Sequence, residues 1–123
     1  TEDIPPPVVV TRRGDTIDIE THPGAVVRAP RPGEVIYAGA LEGFGQVVIL
    51  DHGEGLLSVA ASLDGVAVDV GDRVAAGQAV ATAGVLRESG LPGLHFEVRR
   101  GSDVLDAVDW LGGENAVGSL LRP

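Results

Sequence analysis

Eighteen glycines and eight prolines are spread along these 123 residues rather than clustered. Glycine reaches positive φ where a chain reverses sharply, and proline fixes φ near a turn value. Distributed in this way, they predict many short strands joined by tight turns. The turns read as Arg31-Pro32-Gly33, Asp51-His52-Gly53-Glu54-Gly55, Val70-Gly71-Asp72 and Ala76-Gly77. Between them lie strand candidates at Val8–Thr11, Thr16–Glu20, Ala25–Arg28, Glu34–Ala38, Gln46–Asp51, Leu57–Ala61, Val66–Val68, Val74, Ala79–Ala83 and Leu94–Arg99. The pair Gln46–Asp51 and Leu57–Ala61 reads as a hairpin. With 44% hydrophobic but only 3% aromatic residues, the core must be aliphatic, and its many valines favour strands. The expected fold is all-β, an antiparallel barrel or sandwich, in one domain that buries roughly 65% of its unfolded surface.

The formal net charge is −9, every basic side chain is an arginine, and no basic stripe is present. Such a chain repels phosphate backbones and anionic lipid, which argues against nucleic-acid or membrane-surface partners. There is no cysteine, so disulfide and thiol chemistry are excluded. No apolar run reaches membrane-spanning length, so no membrane insertion is expected. Methionine is absent too, and the expectation is a fragment or processed product.

Residues 1–10 are expected to be a linker of extended, polyproline-like character (Ile4-Pro5-Pro6-Pro7) leading into a first short strand. Residues 11–111 form the domain, with Val85–Gly93 as a loop and a short helical turn within Asp103–Leu111. Residues 112–123 are expected to be a loose tail.

Three further motifs stand together: Gly43-Phe44-Gly45-Gln46-Val47-Val48-Ile49, Asp51-His52-Gly53-Glu54-Gly55 and Leu94-His95-Phe96-Glu97-Val98-Arg99. With the half-motifs Ala29-Pro30-Arg31-Pro32-Gly33 and Val70-Gly71-Asp72, the chain from Thr11 to Leu111 resembles the LytM-type, lysostaphin-like zinc endopeptidases, whose fold is related to barrel-sandwich hybrids. The resemblance implies a His-x-x-x-Asp pair, a middle histidine and a closing His-x-His. These positions fall on Gly14 and Asp18, on Ser62, and on Gly93 and His95. Only Asp18 and His95 remain, as vestigial ligands, and the histidines are lost at Gly14, Ser62 and Gly93. Catalytic zinc needs three protein ligands and an open position, so no zinc or other cofactor and no catalytic residue is expected. His22 and His52 read as turn histidines. A lipoyl or biotinyl carrier is excluded, because it needs a lysine.

Strand alternation turns Leu94, Phe96 and Val98 to the core and His95, Glu97 and Arg99 to the other face. A partner-binding groove is therefore expected to include Ile17, Asp18, Tyr37, Ser62, His95, Glu97 and Arg99. Asp18 reads equally as a solvated strand carboxylate, and Tyr37 equally as packing at the edge of the core. Members of this family without zinc ligands resemble the EnvC/NlpD class of murein hydrolase activators, and the strand with Val108-Asp109-Trp110-Leu111 fits the EnvC-like branch. That resemblance implies a non-enzymatic, periplasmic fragment of an exported protein. Its partner would be an N-acetylmuramoyl-L-alanine amidase, activated during cell division. An upstream coiled-coil region of the same protein would link it to a division complex. The alternatives are a module that only binds and localises on peptidoglycan, and a zinc endopeptidase.

Overall fold

The computed structural model describes residues 9–121. Ten strands follow in chain order: β1 (Val9–Arg13), β2 (Thr16–Glu20), β3 (Val26–Arg28), β4 (Gly33–Leu41), β5 (Gly45–Asp51), β6 (Leu56–Val66), β7 (Arg73–Val74), β8 (Ala79–Val85), β9 (Pro92–Arg100) and β10 (Asp103–Leu105). Two short helices, α1 (Ala107–Leu111) and α2 (Glu114–Val117), and a 3-10 turn at Gly118–Leu120 complete it. All pairings are antiparallel, in the order β1-β2-β9-β8-β6-β5-β4-β7, with β10 beside β9 and β3 beside β8. The all-β antiparallel expectation is met. The sheet is not closed: it has ends at β1 and β7 and folds over its own core, so barrel and sandwich describe it only approximately.

The core is aliphatic, as the composition requires. Ile17 and Ile19 from β2 meet Leu94, Phe96 and Val98 from β9, with Val48, Leu50 and Ala60 behind them. β2 and β9 lie in register, Ile17 opposite Phe96, Asp18 opposite His95 and Ile19 opposite Leu94. This register sends the apolar set inward and the charged set to the opposite face.

Several expectations need correction. Val66 is the end of β6 rather than the start of a separate strand. The helical turn within Asp103–Leu111 is preceded by β10, because Asp103–Leu105 pairs back on β9 across the Gly101-Ser102 turn before α1 begins. Asp106 caps α1 by accepting from the Asp109 N–H at 3.0 Å. The Ala107 N–H that follows donates to the Asp15 carbonyl at 2.9 Å, a bond that proline could not make. Residues 112–121 of the expected tail pack against the core, where Val117, Leu120 and Leu121 are fully buried. The linker prolines lie outside the described residues.

Candidate functional site

On the face of the sheet opposite the core, β1, β2 and β9 carry five charged side chains in one line. The Arg13 Nε–H donates to Asp18 Oδ2 at 2.6 Å, and His95 Nδ1 lies 2.7 Å from Asp18 Oδ1. His95 Nε2 lies 2.7 Å from Glu97 Oε2, and Arg99 Nε–H donates to Glu97 Oε1 at 2.9 Å. The order is cation, anion, histidine, anion, cation. Asp18 and Glu97 are buried, which is tolerable only because each carboxylate is paired on both oxygens.

Both ring nitrogens of His95 face carboxylate oxygens, which accept when ionised, so this geometry favours the doubly protonated ring. Burial opposes that charge, but hydrogen bonds to Glu97 and Asp18 outweigh it and raise the His95 pKa above the ordinary 6.5. Glu97 is held below its ordinary 4.5, chiefly by the hydrogen bond from His95, with burial opposing and Arg99 assisting.

Beside this line lies an open cleft of about 260 Å³. Its lining includes Asp18 and His95, Phe44, Ala61 and Ser62, and Arg87 and Glu88 of the β8–β9 loop. Asp18, His95 and Ser62 are thus brought together around one cleft. Glu97 and Arg99 continue the line along β9. Tyr37 shares a cross-strand row with Ile49, Val59 and Glu97, about 14 Å from Glu97 at ordinary strand spacing. Its hydroxyl donates to the carbonyl of Ala40 on its own strand, outside the cleft. Ile17, also expected in the groove, lies on the other face of the sheet. It is 1% exposed and packs in the core, because alternation places it opposite Phe96. The other two histidines sit in turns. His22 is exposed, and His52 spans Pro32 O and Ser58 Oγ, both at 2.8 Å.

Sequence reasoning missed Arg13, Phe44 and Leu86. The Arg13 signal was present in Gly14-Asp15, a two-residue hairpin loop that sets Arg13 opposite Thr16 and diagonal to Asp18.

A peptidase family M23 model matches residues 12–107. The chain belongs to peptidase family M23. Among curated M23 relatives, the murein hydrolase activator EnvC of Escherichia coli K12 is 39% identical over 89 residues, 72% of this chain and 21% of that protein. The murein hydrolase activator NlpD of the same strain is 40% identical over 84 residues, 68% of this chain and 22% of that protein. The chain therefore spans about a fifth of the length of these relatives. The catalytic domain of the antimicrobial peptidase lysostaphin from Staphylococcus simulans superposes with a TM-score of 0.72 at 25% identity, covering 79% of this chain and 77% of that one.

M23 membership implies zinc in the active peptidases, and the residues present do not fit it. Zinc–ligand bonds of 2.0–2.2 Å place two donors of a tetrahedral site about 3.4 Å apart. Asp18 Oδ1 and His95 Nδ1 are 2.7 Å apart, at hydrogen-bond distance instead. Among the described residues, no group of three or more His, Cys, Asp or Glu is arranged to hold a metal. Gly14 has open space around it but a φ of +66°, and Ser62 carries a φ of +60° in the bulged part of β6. Gly93 is closed: a β-carbon there would meet Ile19 O at 2.2 Å and the Leu86 side chain at 2.9 Å.

Proposed function

We propose that this M23 domain is a non-catalytic activator that binds a periplasmic N-acetylmuramoyl-L-alanine amidase and relieves its autoinhibition, controlling peptidoglycan cleavage in cell division. The observation that carries the reading is the fate of Asp18 and His95. Both are committed to Arg13 and Glu97 within an otherwise preserved fold, beside a cleft that stays open. The relatives EnvC and NlpD are murein hydrolase activators, which supports the same reading.

The face has the composition of a docking surface. Tyr37, Ile49, Val59 and Leu57 are half-buried on it, and the line from Arg13 to Arg99 borders them. Half-buried tyrosine and arginine are the side chains that most often anchor interfaces. Activation is then a population shift: turning a 99:1 closed amidase to 99:1 open takes about 5.5 kcal/mol of differential affinity. A groove that receives an amphipathic helix can supply affinity of this order. In the full-length protein, an upstream coiled-coil region would carry the domain to the division complex.

The test is an amidase assay on purified sacculi with and without this domain, repeated with Arg99→Ala and Tyr37→Ala. Stimulation by the native domain is expected, with its loss in at least one variant and no cleavage by the domain alone. Pull-down on sacculi without amidase stimulation would instead mark a localising module. Peptide-bond hydrolysis with stoichiometric zinc would overturn the reading.

A further inference from the structure

The poor fit of this site to zinc has a structural counterpart in a residue outside the ligand positions. Asp18 is buried, and in a metal site its charge would be met by a dication. Here it is met at one oxygen by the Arg13 guanidinium at 2.6 Å and at the other by His95 at 2.7 Å. A fixed guanidinium and a hydrogen-bonded imidazole stand where one dication would. Arg13 comes from β1, just before the Gly14 turn where the first histidine ligand would stand, so the residue that compensates lies next to the one that was lost. On the far side, His95 Nε2 is taken by Glu97, and Glu97 in turn by Arg99. Neither ring nitrogen can accept a metal without giving up a proton and a charged partner.

We infer that the Arg13 guanidinium is a built-in replacement for the metal ion, neutralising Asp18 and thereby closing the Asp18–His95 pair to divalent cations. The vacated site is thus a continuous chain of ion pairs and charged hydrogen bonds joining β1, β2 and β9. The assignment concerns Arg13 as a positioning and charge-compensating residue and holds whichever partner the domain serves.

Zinc alone is the probe, at neutral pH, read by isothermal titration calorimetry and by thermal denaturation. The native domain is expected to show no saturable zinc binding and no change in Tm with zinc. Arg13→Gln is expected to lower Tm by about 3 °C without zinc, since Asp18 loses one of its two cationic partners. Added zinc is expected to restore much of that loss by binding weakly to the uncovered Asp18 and His95, and His95→Gln in the same background should abolish the restoration. Arg87→Gln, on the exposed loop across the cleft, is expected to match the native domain in both readouts. Stoichiometric zinc binding by the native domain would overturn the inference. So would an Arg13→Gln variant whose Tm responds to zinc no more than that of Arg87→Gln.

Discussion

At the scale of single residues, the lost histidine positions are not equivalent. Gly14 sits in open space, whereas Gly93 has no room for even a methyl group, with Ile19 O only 2.2 Å from where a β-carbon would lie. That contact is with backbone, so a side chain can enter only if β2 moves away from β9. Gly93→Ala is expected to cost about 2–3 kcal/mol, and Gly93→His more, as overpacking that cannot relax through a rotamer. Urea denaturation with an unchanged m value would check this; a neutral Gly93→Ala would mean that β2 yields freely. Ser62 shows the opposite case. Its φ of +60° is strained for a side-chain-bearing residue, while its N–H is fixed to Phe44 O at 2.8 Å. Ser62→Gly should therefore stabilise by about 0.5 kcal/mol in the same assay, the relief of strain slightly exceeding the entropic cost of glycine.

At the scale of elements, the ion chain is a pH-dependent clamp on β1, β2 and β9. The His95 pKa is raised, so its contribution is complete below the ordinary 6.5 and is lost as pH rises through the higher folded value. The Glu97 pKa is lowered, so its contribution is complete above the ordinary 4.5 and is lost as pH falls through the lower folded value. Stability to urea is therefore expected to be greatest between these values and to decline on both sides. The limiting slope is about 1.4 kcal/mol per pH unit for one proton. His95→Gln should flatten the upper limb, and an upper limb unchanged by that substitution would remove His95 from the account. The elements themselves were largely legible, because period-two alternation in Thr16–Glu20 and Gly93–Arg99 fixes which side chains face the core. Ile17 fell on the wrong side of the expected groove only because it neighbours Asp18 in sequence, and alternation, applied consistently, excludes it. Arg13 was harder to foresee, since its role depends on a hairpin register that brings a β1 guanidinium to a β2 carboxylate. Leu86 over Gly93 was not legible at all: no local pattern tells a loop leucine which backbone it will cover.

At the scale of the whole molecule, the open sheet needs a cover, and the C-terminal segment supplies part of it. After Gly112 ends α1 in the left-handed conformation, α2 and the 3-10 turn bring Val117, Leu120 and Leu121 against the core formed by β2, β3, β6 and β9. The segment is short and opens on the glycine- and polar-rich run Gly112-Gly113-Glu114-Asn115, which is why it reads as loose. Its three apolar side chains are nevertheless no more than 2% exposed. Burying a Val or Leu side chain contributes about 1.5–3 kcal/mol, so the three together contribute about 4–9 kcal/mol. That is comparable to the whole stability of a domain, about 5–15 kcal/mol. Arg31 adds to the same corner: its guanidinium lies 3.8 Å over the Trp110 ring and donates to the Trp110 carbonyl at 2.7 Å. A chain truncated after Leu111 is therefore expected to lose cooperative unfolding and its fixed tryptophan environment, whereas Leu120→Ala alone should cost about 2–5 kcal/mol and keep the transition two-state. Near-ultraviolet circular dichroism of Trp110 through a thermal scan reads both outcomes. A truncated chain that still melts sharply near the native Tm would show that the sheet seals its own core, and the segment would then be a passenger rather than a cover.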